Sequence, residues 1–300
     1  MGRVRKKGRH LHGILLLDKR LGVSSNRALQ EVRRLFDAKK AGHTGTLDPL
    51  ATGLLPVCFG EATKVSAYLL NDDKRYQTVV QLGSTTDTAD SEGKILTTAA
   101  IPELSREIIQ HCLSQFLGEI EQVPPMYSAL KHQGKKLYEL ARAGEVVERK
   151  PRKITIHQLE CVAFDEQTLT LDVLCSKGTY IRTLAEDIGK YLGCGGYVKA
   201  LRRTETGCFS LESAYTLEQL QAMNDSELLS CLQSCDIALP SLPKLEVPEL
   251  IAQRLLQGQR VLFPECIESG QVRLYAKQVF LGIVEVSAGK LIPKRIFNYQ

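Results

Sequence analysis

The strongest constraint on the fold is a recurring change of hydrophobic period along the chain. Residues 13–19 (GILLLDK) make a short apolar run, residues 76–82 (YQTVVQL) alternate, and strand-like runs follow at 152–162 and 169–175. Between them the spacing is helical: Ala28, Leu29, Val32, Leu35 and Phe36; then Leu104, Ile108, Ile109, Cys112, Leu113, Phe116 and Leu117, closed by Gly118; then Ile181, Leu184, Ala185, Ile188 and Leu192. A period of two buries one face of a strand and a period of 3.6 one stripe of a helix, so the chain mixes both elements around a common core. The expected architecture is α+β, with a large mixed sheet in a domain over residues 10–240. The stretch LPSLPKLEVP (239–248), with three prolines, reads as a linker or domain edge. Alternation at 272–275 and 279–286 then predicts a small β-rich domain over 241–300. The segment 83–93 (GSTTDTADSEG), polar and rich in Gly, Thr, Ser and Asp, reads as a mobile loop.

Charge is uneven. Residues 1–40 hold twelve Lys and Arg against Asp18, Glu31 and Asp37, a net +9, so the remainder sums to −4. A basic start, with residues 1–9 as a tail, on a nearly neutral body points to an anionic partner or to a solvated basic surface. Nine cysteines, odd in number and without a Cys-x-x-Cys pair, fit reduced core thiols in a cytoplasmic protein. No apolar stretch reaches about 18 residues, so no membrane span is expected.

Four segments can carry chemistry. GHTGTLDPLATG (42–53) holds one carboxylate, one imidazole and hydroxyls among glycines that permit close backbone approach. Pro49 biases Asp48 towards an extended conformation that presents its side chain. A carboxylate is ionised at pH 7 without help and attacks directly, whereas a serine needs a base. The same stretch also reads as an ordinary turn. In SKGTYIRTLAEDIG (176–189), Arg182 falls in the first turn of a helix, where a cation opposes the helix dipole. It serves either a specific anion or a surface pair with Glu186. Lys74-Arg75-Tyr76 suits a nucleotide, with cations for phosphate and a ring for stacking, and suits equally an edge strand. PPMYSALKHQGKKLYELARAG (124–144) interleaves Lys131, Lys135, Lys136 and Arg142 with Tyr127, Tyr138 and His132.

Taken in order, GILLLDKRLGVSSN, AGHTGTLDPLATGLLPVCFGEATK, KRYQTVVQLGSTTDTADSEG, PPMYSALKHQGKKLYELARAG, CSKGTYIRTLAEDIG and LRRTETGCF resemble the TruB-type tRNA pseudouridine-55 synthase family over residues 10–210. The resemblance implies a pseudouridine-synthase-like catalytic domain and a small PUA-like RNA-binding domain at the C-terminal end. It implies an isomerase that breaks the bond from uracil N1 to ribose and rejoins the base through C5, with no cofactor and no metal. The partner would be tRNA, bound at its T-arm and T-loop by a monomer without a protein partner. By the same resemblance Asp48 is the nucleophile and Arg182 its counter-charge. Tyr76 stacks on the flipped uracil and helps remove the C5 proton, and His43 fills the space the base leaves. Tyr180 and Leu201 line the uracil pocket, and Lys19 supports the site. Arg20 stands where many relatives are expected to carry Pro, which adds charge near the RNA path. Two other readings compete: a non-catalytic tRNA-binding or tRNA-folding protein on the same scaffold, and a glycosidase, most of which need a second carboxylate.

Overall fold

A computed structural model describes residues 8–264 and 269–299 of the chain. The basic tail expected over 1–9 therefore lies, for residues 1–7, outside the described residues.

One mixed sheet runs in the order Gly13–Lys19, Ala51–Phe59, Gly196–Thr206, Lys74–Leu82, Thr168–Cys175, Arg152–Phe164, Gly118–Gln122. Ala41–His43 pairs with the second of these strands and Phe209–Ser210 with the third. Neighbours are antiparallel except Ala51–Phe59 and Gly196–Thr206, which run parallel from Leu201 opposite Ala51 to Arg203 opposite Gly53. Neither of those two strands stands out by alternation. Ala51–Phe59 is buried at every position but Thr52, so it has no polar face to alternate with.

Leu15, Leu17, Leu55 and Val57 pack on one face against Ala28, Leu29 and Val32 of the helix Ser25–Leu35, which Ser24 caps by accepting from the Arg27 N–H. Val80, Leu171 and Val173 pack against Leu184, Ala185 and Ile188 of the helix Ile181–Tyr191. Tyr76 and Leu201 touch both clusters. Each such aliphatic side chain contributes about 1.5–3 kcal/mol by leaving water. The helix read over 104–117 is shorter, Arg106–Ser114, and Gly118 opens a strand instead of closing the helix.

A second sheet has the order Lys244–Glu246, Gly270–Ala276, Val279–Ser287, Lys290–Ile296, Val261–Leu262. The proline-rich stretch is thus not only a linker: between Pro243 and Pro248 its three residues Lys244–Glu246 pair in parallel with Arg273–Tyr275. This sheet meets the first through Tyr275, Phe280, Ile283 and Phe297, which share a core with Ile14, Leu16, Leu54 and Cys58.

The segment 83–93 is ordered. Ser84–Thr86 pairs with Ile95–Thr98, and Asp90 bridges to Val198 through bonds from Val198 N to Ala89 O (3.0 Å) and Ser91 N to Val198 O (3.0 Å). Thr86 and Asp90 fold inward, Asp90 to 3 % exposure, while Asp87, Ser91 and Glu92 face water.

Candidate active site

Asp48 sits where both of its chain neighbours are pinned. Leu47 exchanges two bonds with the buried Ser25 hydroxyl, which donates to its carbonyl (2.9 Å) and accepts from its N–H (2.8 Å). The Pro49 carbonyl accepts from Gly22 N (2.9 Å) and from Lys19 Nζ (3.5 Å). Lys19 is fully buried and also donates to Val23 O (2.7 Å) and Arg20 O (3.1 Å). Burial pushes its ammonium down to about 8, against the pull of Asp48 and Glu92.

Arg182 is the hub. Its Nη2 lies 3.1 Å from Asp48 Oδ2 and donates to Tyr127 O at 2.6 Å. Its Nη1 donates to Thr88 O at 3.1 Å and lies 3.6 Å from Asp90 Oδ2. The guanidinium is buried, so the surface pairing with Glu186 is not how it is used. Asp90 is held in turn by Thr88 Oγ1 (2.6 Å) and the Glu92 N–H (3.1 Å). The Asp48 side chain keeps 40 % exposure at the surface while protein crowds its other sides. That crowding raises its pKa, Asp90 adds to the rise, and Arg182 and Lys19 oppose it.

The start of the helix that carries Arg182 lacks a side-chain cap of its own. The buried Gln122 amide supplies one: its Oε1 accepts from Tyr180 N (2.8 Å) and its Nε2 donates to Tyr180 O (3.1 Å). Tyr76, Tyr180, Lys19 and Glu92 all stand close enough to feel the charge of Asp48. Burial raises both tyrosine phenols. Leu201 packs with Tyr76 across the two strands. His43 lies instead beside Arg203. Burial and that guanidinium lower its pKa, which favours a neutral imidazole, and its Nδ1 is buried without a partner.

The candidates Asp48, Arg182, Tyr76, Tyr180, Lys19 and Leu201 thus converge, with His43 at the margin. Asp90, Gln122 and the carbonyls of Thr88 and Tyr127 belong to the same arrangement, and nothing in their local sequence marked them. Two charge readings change. Lys74 is buried and donates to the carbonyls of Leu69 (3.2 Å), Leu70 (3.1 Å) and Asp72 (2.5 Å), and Arg75 pairs with Asp172 at 2.8 Å, so neither is a free phosphate contact. Arg20 forks onto Glu31 at 2.9 and 3.1 Å, so its charge is matched within the protein. Among the described residues no cluster of His, Cys, Asp and Glu could hold a metal ion. A cavity of about 350 Å³ opens away from this site, beside Lys64, Tyr68, Asn71, Gln271 and Arg295.

Residues 33–181 match the family model described as TruB family pseudouridylate synthase (N terminal domain). Residues 182–240 match the tRNA pseudouridylate synthase B C-terminal domain, and 243–297 match Pseudouridine synthase II TruB, C-terminal. A tRNA pseudouridine synthase B of Chromohalobacter salexigens is 51% identical over 98% of this chain and 97% of its own. One from Pseudomonas fluorescens is 53% identical over the whole of both chains. Among solved structures, an archaeal box H/ACA sRNP Nop10-Cbf5 complex has a chain that superposes with a TM-score of 0.71 at 22% identity, covering 96% of this chain and 86% of that one, a likeness of fold.

Proposed function

Because the chain belongs to the TruB family of pseudouridylate synthases, we propose that it isomerises uridine 55 in the T-loop of tRNA to pseudouridine, with Asp48 as the nucleophile. The observation that carries this reading is the 3.1 Å contact between Asp48 and a buried Arg182, in a loop whose backbone is pinned on both sides of the carboxylate. The relatives of about half identity, named for tRNA pseudouridine synthesis, support tRNA as the substrate.

The reaction moves the base from an N1 to a C5 linkage with no net gain or loss of atoms. The target nucleotide leaves its stack to expose the glycosidic carbon. Asp48 acts on C1′, and Arg182 keeps the carboxylate charged where its surroundings disfavour charge. Tyr76 stacks on the extruded uracil and takes the C5 proton, while Tyr180 and Leu201 line the base. His43 occupies the place the base leaves, and Lys19 braces the Asp48 loop. Residues 10–240 act as the catalytic domain and 241–300 as an RNA-binding domain. The enzyme works as a monomer in the cytoplasm, in keeping with eight described cysteines that are all free thiols.

The test is to incubate the purified protein with a T-loop transcript and map pseudouridine by mass spectrometry. Modification at position 55 is the expected outcome. Modification elsewhere, or none, overturns the specificity.

A further inference from the structure

Arg203 is the largest of the fully buried side chains, at 1 % exposure. Among the described residues it has no carboxylate partner. An unpaired buried guanidinium costs several kcal/mol relative to an apolar side chain of the same volume, so its position calls for a use. Its Nη2 donates to Gly45 O at 3.0 Å, within the loop that carries Asp48, and its Nε to Leu54 O at 2.8 Å, in the strand Ala51–Phe59 that follows it. Two glycines, one on each side of Asp48, are shaped around it. A Cβ on Gly45 would lie 3.1 Å from Arg203 Nη1, and one on Gly53 would lie 2.2 Å from Arg203 O. On its other side Arg203 stands directly opposite Tyr76 in the antiparallel pair, so both side chains leave the same face of the sheet, and its charge acts on the Tyr76 phenol.

We propose that Arg203 is a positioning residue of the isomerisation, which from one buried guanidinium anchors the Asp48 loop and holds the Tyr76 oxygen ready to accept the C5 proton. This rests on the reading of Tyr76 as the group that removes that proton. A guanidinium only donates, so in the proposed contact the Tyr76 oxygen is the acceptor. The contact stabilises the phenolate and turns any phenol proton away from Arg203. In the step itself the phenolate oxygen takes the proton from C5. The C5–H electron pair becomes the C5=C6 bond, the N1=C6 pair moves onto N1, and N1 takes a proton from water. Burial disfavours the phenolate and Arg203 opposes that effect.

The test compares Arg203→Gln, Arg203→Lys and Tyr76→Phe in single-turnover pH profiles, with tRNA binding and thermal melts in parallel. Arg203→Gln should lose about a hundredfold in rate at neutral pH, recover as pH rises, and move the alkaline midpoint up by about one unit or more. Arg203→Lys, which keeps the charge, should regain part of the rate. A loss equal at every pH, with the midpoint unmoved, would mean that Arg203 only packs and would overturn the proposal. Tyr76→Phe with near-normal turnover would remove the Tyr76 reading, and the proposal with it. A silent Arg203→Gln beside a crippled Tyr76→Phe would remove the proposal alone. If the Arg203 variants do not fold, 15N-arginine labelling of the Tyr76→Phe protein decides instead. A solvent-protected guanidinium resonance that Asp48→Asn leaves in place should shift, and an unchanged spectrum would overturn the contact.

Discussion

Asp90 lies 3.6 Å from Nη1 of Arg182, on the other arm of the guanidinium from Asp48. One buried cation therefore answers two carboxylates. The two neighbours act on the Asp48 carboxylate in opposite senses: Asp90 pushes its pKa up and Arg182 pulls it down.

The pH dependence follows from those signs. As the proposed nucleophile Asp48 reacts in its ionised form, and burial holds its pKa above the ordinary carboxylate value. Activity should fall as pH drops through that raised value. Asp90→Asn removes a like charge, so the acid midpoint should move to lower pH. Arg182→Met removes the opposite charge, so it should move to higher pH, with a rate loss of about a hundredfold or more at neutral pH. Single-turnover profiles of the two variants decide it, and midpoints that move together would contradict the arrangement.

Asp48→Asn and Asp48→Ala should both abolish isomerisation, by at least about a thousandfold, and leave tRNA binding nearly intact. Phosphate contacts are expected to dominate affinity, and an anionic carboxylate makes none of them. Asn controls for packing and Ala for slow reversion of Asn to Asp. The measurement is pseudouridine formed per enzyme in one turnover, with affinity measured alongside.

Tyr76→Phe keeps the stacking face and loses the hydroxyl. Its single-turnover rate should fall by about a hundredfold while binding persists. Turnover near that of the unsubstituted protein would leave Tyr76 a stacking role only.

Gly53→Ala should destabilise the fold by about 3 kcal/mol, because the new methyl meets a backbone oxygen that cannot yield. Gly53 has φ +99°, in the region glycine alone adopts readily, and its Cβ site is 2.2 Å from Arg203 O. A denaturant titration at unchanged m-value measures this.

Affinity for tRNA should depend on salt. If about five phosphates are neutralised, log affinity should fall against log salt with a slope near −4. Because Arg20, Lys74 and Arg75 are occupied within the protein, replacing Lys131 or Lys135, both exposed, should flatten that slope more than replacing any of those three.

How much of this could be read beforehand depended on whether a residue's partner was local. Asp48 drew notice through the glycines and Pro49 around it, and Arg182 as a cation at a helix start, but each read locally as well as a turn or a surface pair, and the family resemblance alone joined them. Asp90 gave no such sign. It sits in a polar run that reads as loop, and its partner is 92 positions away in the sequence. The strand Ala51–Phe59 was hidden because it is buried on both faces and shares its first residues with the glycine-rich motif. Arg203 was hidden by its type, since an arginine in a strand is ordinarily solvent-facing and only the structure shows its burial.

Tyr275, Phe280, Ile283 and Phe297 of the second sheet lie in one core with Ile14, Leu16, Leu54 and Cys58 of the first. Ile14 and Leu16 alternate with Leu15 and Leu17, which back the opposite face near Lys19 and the Asp48 loop. The C-terminal module is therefore not an attachment that can be clipped off to leave an intact enzyme. A chain ending before residue 243 would expose the underside of the very strands that hold the Asp48 loop in place. Its loss would register first as aggregation and a lowered melt, whatever grip on RNA that module also supplies.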